Sequence, residues 1–250
     1  MSTQVQSRVG TFIWRENVSP ERDRAIDFYS QLFGWEIDDM DVGGDTPYKI
    51  INAGGQGHGG FPPVQPGTPP HWTGNVLVES VDDTVAKAQG AGGTLIHGPQ
   101  DIPEIGRFAV LADPQHAIVV AFEAAGEGPV GTGVFVWDEL GTQDVAAAES
   151  FYNAVFGWTT KDMGEEYGGY KIFEIGETQV GGMMQLPDAS MPSGWAPYVA
   201  VEDVDATVAK SQELGGSTLL EPMDVPNVGR IAYLKDPVGA VFGILKPNAM

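Results

Sequence analysis

The sequence FYSQLFGW at residues 28–35 returns as FYNAVFGW at residues 151–158. In each copy the aromatic and aliphatic residues have helical spacing, which predicts a helix packed on a sheet as part of the core. Each copy also carries a glycine, Gly34 or Gly157, at the place where a helix commonly ends in the left-handed conformation. Two such helix ends, 123 positions apart, indicate a duplicated chain.

The duplication continues on both sides of these helices. The same offset of 123 relates Trp14 to Trp137, Trp72 to Trp195, Asp82 to Asp205, Arg107 to Arg230, and Asp113-Pro114 to Asp236-Pro237. Between Gly34 and Trp72 the offset shortens by one, so that Tyr48 corresponds to Tyr170. We therefore predict two tandem domains, at residues 1–124 and 133–250, joined by a linker of small residues and glycines at 125–132.

Each half reads as a strand, a helix and three strands, and then repeats that order. The alternating segment GTFIWREN at residues 10–17 predicts the first strand, and a helix follows at about 20–33. The equivalent helix of the second half is predicted at about 143–156. The sequence thus predicts an α+β fold of four strand-helix-three-strand modules, with mixed sheets.

Composition limits the classes of partner. The chain has 34 acidic and 13 basic residues, a formal net charge of −21 and no cysteine. Such a charge repels phosphate backbones and anionic lipids, so we expect neither nucleic acid nor membrane as a partner. We find no apolar stretch of about 18 residues and no signal-peptide pattern at the first residues, and so expect a cytoplasmic protein.

The ordered set of motifs resembles the vicinal-oxygen-chelate superfamily over nearly the whole chain. This superfamily includes glyoxalase I, bleomycin-resistance proteins and extradiol dioxygenases. The set comprises the FY..LFGW helix end, the VE.VD.TVAK helix start, the late Gly-Arg strand and the Asp-Pro turn, each present twice. The duplicated pattern is similar in particular to tandem glyoxalase-like proteins of actinobacteria that are often labelled hydroxylases. The resemblance implies that paired modules curl each sheet into a cup, where a divalent metal usually binds His and Glu.

This sequence has other residues at the ligand positions that the resemblance implies. These positions fall at Trp14 and Trp137, at Thr73 or Asn75, at Ala196 or Tyr198, at Val120 and Gly243, and at His58 and Val180. Tryptophan does not bind a divalent metal, and a single imidazole does not complete a site of three or four ligands. We therefore expect no cofactor. A divalent metal stays possible only through unorthodox ligands such as His58 with Glu16.

Two glutamates are the predicted catalytic residues. Because side chains alternate along a strand, Trp14 and Glu16 share a face, as do Trp137 and Glu139. A carboxylate that points into a cup beside an indole is partly desolvated and suits acid/base work. The alternative is that each glutamate forms a salt bridge, near the rim of the cup or with an arginine of the repeat, Arg107 or Arg230.

Further residues are predicted to contact a ligand. They are Trp14, Trp137, Tyr48, Tyr170, His58, Trp72, Trp195, Arg107, Arg230 and Met183. Strand tyrosines and methionines more often pack in the core, and the histidine equally suits a structural role. A cup lined by aromatic side chains and methionine with few polar groups favours a flat, hydrophobic small molecule.

The leading hypothesis is a metal-independent glyoxalase- or hydroxylase-like enzyme that acts on an aromatic or polyketide-like compound. The alternatives are a protein that sequesters a drug without catalysis, as bleomycin-resistance proteins do, and a glyoxalase- or dioxygenase-like enzyme with divergent metal ligands. A scaffold with inactive cups is a fourth. Since two family domains in one chain can pair internally, we expect a monomer.

Overall fold

The computed structural model describes residues 8–42, 46–126 and 133–248. Within these ranges each repeat forms eight strands and two helices, in the predicted order. The first repeat contains β1 (Phe12–Val18), α1 (Arg22–Phe33), β2 (Glu36–Met40), β3 (Tyr48–Ala53), β4 (Gln56–Phe61), β5 (His71–Leu77), α2 (Val81–Gly90), β6 (Thr94–Ile102), β7 (Gly106–Ala112) and β8 (Ile118–Ala124).

The second repeat has the same order with one added turn of 3-10 helix, Glu165–Tyr167. It contains β9 (Phe135–Thr142), α3 (Val145–Phe156), β10 (Thr159–Asp162), β11 (Lys171–Ile175), β12 (Thr178–Gln185), β13 (Gly194–Ala200), α4 (Val204–Glu213), β14 (Ser217–Val225), β15 (Gly229–Lys235) and β16 (Val241–Pro247). None of the described helices is long and apolar enough to span a membrane.

Each repeat builds one open, eight-stranded mixed sheet. The strand orders are β2-β3-β4-β1-β5-β8-β7-β6 and β10-β11-β12-β9-β13-β16-β15-β14. In the first sheet β1 runs parallel to β4 and β5 runs parallel to β8, whereas the hairpins within each module are antiparallel. The predicted α+β class with two tandem domains is confirmed.

The helix ends follow the glycines that revealed the duplication. Gly34 and Gly157 both have a φ of 73°, in the left-handed region that favours glycine. The amide of Gly34 donates to the carbonyl of Ser30 at 2.9 Å, and that of Gly157 to Asn153 at the same distance. Each bond satisfies a carbonyl that the end of the helix would otherwise leave unpaired.

The chain divides into two compact units that differ from the two repeats. Unit 1 contains residues 8–13, 74–126 and 137–195 of the described chain, and unit 2 contains 14–42, 46–73, 133–136 and 196–248. Each unit therefore takes the larger part of one module from each repeat. The bounds predicted for the two domains stay a prediction, and residues 127–132 of the predicted linker lie outside the described residues.

Each unit has its own aromatic core. In unit 2, Tyr29 is fully buried, stacks on Trp35 with ring centres 5.8 Å apart, and donates to Asp236 at 3.0 Å. In unit 1, Tyr152 stacks on Trp158 at 5.6 Å and donates to Asp113 at 3.3 Å. The prediction that the FY and LFGW aromatics are core residues is confirmed.

Candidate functional site

A chain of hydrogen bonds joins three of the predicted site residues of the first repeat. The indole Nε1 of Trp14 donates to the hydroxyl of Tyr48 at 2.7 Å. That hydroxyl donates in turn to a carboxylate oxygen of Glu16 at 2.8 Å. We call Trp14, Tyr48 and Glu16 the first triad, and all three lie within unit 2.

The sheet positions this triad through β1, β3 and β4. The alternation of β1 puts Trp14 and Glu16 on one face, as predicted, and β4 places Gly60 opposite Glu16 in parallel register. A Cβ atom on Gly60 would lie 2.3 Å from Cε1 of the Tyr48 ring. Because no real Cβ contact is so short, glycine at this position leaves the space that the phenol ring needs.

The second repeat contains the same arrangement in unit 1. Trp137 donates to the Tyr170 hydroxyl at 2.8 Å, and Tyr170 donates to Glu139 at 2.8 Å. Gly182 lies opposite Glu139, and a Cβ there would lie 2.0 Å from the Tyr170 oxygen. We call Trp137, Tyr170 and Glu139 the second triad.

The environment keeps the bridging tyrosine protonated. Burial of the phenol raises the pKa of Tyr48 well above its ordinary value, and the charge of Glu16 and the hydrogen bond to it raise that pKa further. The hydrogen bond from Trp14 acts in the opposite direction. Tyr48 is therefore a neutral donor at physiological pH, and Glu16 is the member of the triad that suits proton exchange with a ligand.

The two carboxylates differ in exposure. Glu139 is buried, with 6% of its surface exposed, whereas Glu16 is partly exposed. Sequence reasoning found all six triad residues but missed the hydrogen-bond chain and the two glycines. The signal for the glycines is present, since Gly-Gly occurs at 59–60 and at 181–182.

The structure does not bring Trp72 or Trp195 to a triad. Trp72 is 2% exposed and donates to the Tyr29 hydroxyl at 2.8 Å, whereas Trp195 is 5% exposed and donates to Tyr152 at 2.8 Å. Both indoles thus belong to the cores of their units. Their predicted contact with a ligand finds no support in this placement.

The two arginines bind other carboxylates than Glu16 and Glu139. The guanidinium of Arg107 bonds Asp82 at 3.0 Å and Asp101 at 2.8 Å. Arg230 makes the matching pairs with Asp205 and Asp224, at 2.6 and 3.2 Å. These ion pairs join a helix start to a hairpin in each repeat, so the structure assigns both arginines to the scaffold.

Met183 lies on the core face of its strand. Gly182, its neighbour on β12, faces Tyr170 of the second triad. Because successive side chains of a strand point to opposite faces, Met183 points away from the triad, and it is fully buried in the core of unit 1. Alternation places Met184, which is partly buried, on the face of Gly182. The structure thus places Met183 in the core, against its prediction as a lining residue.

The side chain of His58 is also directed away from the first triad. The β4 residues whose Cβ positions meet the first triad are Gly57, beside Trp14, and Gly60, since a register irregularity interrupts the alternation between them. His58 is 4% exposed, its Nε2 lies 3.0 Å from the carbonyl oxygen of Ala53, and its ring lies against Gly133.

The residues at the expected metal positions do not fit a divalent metal. The indole of Trp14 is committed to Tyr48, and in the second repeat the ring of Tyr198 lies directly on Gly243. Asn75 and Val120 stand opposite each other in the first sheet. Across residues 8–42, 46–126 and 133–248, no three His, Asp or Glu side chains come together in a group that could hold a metal.

Comparison with known proteins identifies the family. A family model described as glyoxalase-like domain matches residues 17–117, and that of the glyoxalase/bleomycin resistance protein/dioxygenase superfamily matches residues 135–244. A relative described as putative glyoxylase CFP32, from Mycobacterium tuberculosis (strain CDC 1551 / Oshkosh), is 37% identical and covers 99% of this chain and 98% of its own. The chain belongs to this superfamily.

Other members of the glyoxalase/bleomycin resistance protein/dioxygenase superfamily extend the comparison. The anthracycline biosynthesis protein DnrV of Streptomyces peucetius is 35% identical, over 95% of this chain and 93% of its own. Among solved structures, the Mn(II)-bound glyoxalase from Novosphingobium aromaticivorans has a TM-score of 0.67 at 14% identity, covering 96% of this chain and 82% of that one. The 2,3-dioxygenase LapB from Pseudomonas sp. KL28 has a TM-score of 0.65 at 12% identity, covering 96% and 94%. The two solved structures share the fold, and the family models and relatives support a glyoxalase- or dioxygenase-like role on a small molecule.

Proposed function

We propose that this protein is an enzyme of the superfamily that acts on a hydrophobic aromatic or polyketide-like compound by general acid/base catalysis. Glu16 and Glu139 are the acid/base residues, and Trp14 and Trp137 contact the flat face of the ligand. The observation that carries the proposal is the Trp-Tyr-Glu hydrogen-bond chain, present in both repeats with the same donors and acceptors.

The chemistry of the triad supports a role in proton transfer. A carboxylate that accepts from a neutral phenol is held in a fixed orientation, which a general base requires. Tyr48 and Tyr170 act as positioning residues, because each donates its only hydroxyl proton to the carboxylate. The indole then fixes the phenol by donating to the oxygen of that same hydroxyl.

Two of the relatives favour this class of substrate. DnrV and its counterpart DauV from Streptomyces sp. (strain C5) are both described as anthracycline biosynthesis proteins, and anthracyclines are aromatic polyketides. The indole faces of Trp14 and Trp137 are suited to stacking on such a ring system. We further propose that catalysis proceeds without a metal and that the protein works as a monomer.

Product analysis with a panel of hydroxylated anthraquinones tests the proposal. We expect at least one compound to be converted, with a changed mass or absorption spectrum. The Glu16→Gln and Glu139→Gln variants together should lower the rate about 100-fold or more, which is the usual contribution of general acid/base catalysis. Glu213→Gln, at the exposed end of α4, is the matched control and should leave the rate unchanged.

Three results would contradict the proposal. If the anthraquinones bind stoichiometrically but are recovered intact, the protein is a sequestering member of the superfamily. If a compound is converted and the double Gln variant keeps the wild-type rate, the triad glutamates are not the catalytic groups. If no panel member is either converted or bound, the proposed substrate class is contradicted.

A further inference from the structure

A depression of about 440 Å³ opens in unit 2 where α1 begins. It is lined by residues 19–24, Thr46, Pro63 and Val64. The first triad is close in sequence, since Ser19 follows Glu16 by three residues and Thr46 precedes Tyr48 by two. The depression thus lies where β1 and β4 have ended and β3 is about to begin.

The start of α1 has no side-chain cap. Glu21 occupies the N-cap position, but its side chain accepts no bond from a backbone amide of the helix and instead pairs with Arg24 at 3.1 Å. The first amides of a helix carry partial positive charge and attract anions. Arg22 and Arg24 add two cationic side chains to the same lining, where Arg22 also donates to the carbonyl of Pro47 at 2.9 Å.

Ser19 supplies an independent indication of a ligand. The residue is fully buried, and its hydroxyl has no hydrogen-bond partner in the described parts of the chain. A buried hydroxyl without a partner is unfavourable, so such groups in native proteins usually meet a water, an ion or a ligand. Ser19 lines the depression, beside the uncapped helix.

In the second repeat the equivalent helix start, that of α3, is capped by a side chain. At the start of α3 the carboxylate of Asp144 accepts from the amide of Ala147 at 3.0 Å, so a side chain already occupies the place that an anion would take. The positions of Arg22 and Arg24 are held there by Val145 and Ala147. Both the cap and the missing cations distinguish this helix from α1.

A second contact closes the second repeat further. Gln143 donates from its side-chain amide to the carbonyls of Asp188 and Met191, at 2.8 Å each, and so ties the segment before β13 to the end of β9. The equivalent position in the first repeat is Pro20, which has no such donor. The start of α1 in the first repeat therefore lacks both the capping side chain and the Gln143 contacts that the start of α3 has in the second repeat.

We propose that the depression is an anion subsite that binds a carboxylate of the small molecule held by the first triad. This inference rests on the proposed function and specifies its substrate as an aromatic compound that bears a carboxylate. The donors are the first amides of α1, the Ser19 hydroxyl and the side chains of Arg22 and Arg24. Glu21 and Asp23 also line the depression, and their negative charges weaken the binding of an anion.

Titration of the ¹⁵N-labelled protein with benzoate, followed by NMR, tests the subsite. We expect saturable shifts of the amide signals of residues 21–24 and none at 144–147, the matched helix start. Ser19→Ala and Arg24→Gln should each weaken benzoate binding at least threefold. Asp23→Asn should strengthen it at least twofold, and uncharged benzamide should leave the signals unshifted.

The outcomes separate this inference from the proposed function. Glu16→Gln together with Glu139→Gln should lower turnover about 100-fold or more and leave benzoate binding unchanged, so either result can fail without the other. The subsite is contradicted if residues 21–24 show no saturable shift, if 144–147 shift equally, or if neither Ser19→Ala nor Arg24→Gln weakens binding.

Discussion

At the scale of single residues, a glycine under each bridging tyrosine determines whether the triad can form. Alternation along β1 is enough to place Trp14 and Glu16 on one face. It does not show that Tyr48 reaches both, because contacts across strands depend on register, and the repeats differ by one residue in this region. The same dependence explains why Met183, predicted as a lining residue, lies in the core.

Gly60→Ala tests this requirement for space. The new methyl group would collide with the Tyr48 ring, so we expect loss of the hydrogen bond to Glu16 and a free energy of unfolding lowered by about 1–3 kcal/mol. Gly90→Ala is the control, since a Cβ there meets no atom within 4 Å and alanine favours the helix. Urea unfolding of both variants is the measurement. Equal stability of Gly60→Ala and wild type would show that the ring does not need the glycine.

At the scale of secondary structure elements, the sequence predicted the helices well but not how they begin. The helices were expected at about 20–33 and 143–156, and they begin at Arg22 and Val145. The positions before them explain the shift, because Glu21 and Asp144 have non-helical backbone angles as N-cap residues. Only the second of these two helices has a capping side chain, in keeping with the preference for Asp rather than Glu at the N-cap.

The two helix starts make a matched pair for mutation. Asp144→Ala removes the bond from Ala147 and should lower the free energy of unfolding by about 1 kcal/mol, the usual value of such a cap. Glu21→Ala removes only an exposed ion pair with Arg24 and should cost about 0.5 kcal/mol or less. Chemical denaturation of the two variants measures the difference. A larger loss for Glu21→Ala would mean that Glu21 acts as a cap in solution.

At the scale of the whole molecule, the sequence repeat and the packing follow different divisions. Tyr29 of the first repeat bonds Asp236 of the second, and Tyr152 of the second bonds Asp113 of the first. All four modules carry the same pattern of strands and helix. For that reason periodicity could show the duplication and the sheets, yet not which module packs against which.

Separate expression of residues 1–124 and 133–250 tests this interdependence. Neither half completes a unit, so each alone should expose apolar core and bind a hydrophobic dye such as anilinonaphthalene sulfonate. Mixing the halves should restore a cooperative unfolding transition and suppress the dye signal. Two halves that each unfold cooperatively on their own would contradict the division of the chain into shared units.

We propose that the triad glutamates carry out the proton transfer without a bound metal. The most direct test of this proposal is the conversion rate of the best anthraquinone substrate after exhaustive dialysis against a chelator, measured for the wild type and for the double variant Glu16→Gln/Glu139→Gln. We expect the dialysed wild type to keep its rate and the double variant to lose about 100-fold or more. A rate that disappears on chelation, returns with one metal ion and is unaffected by the two substitutions would contradict the proposal.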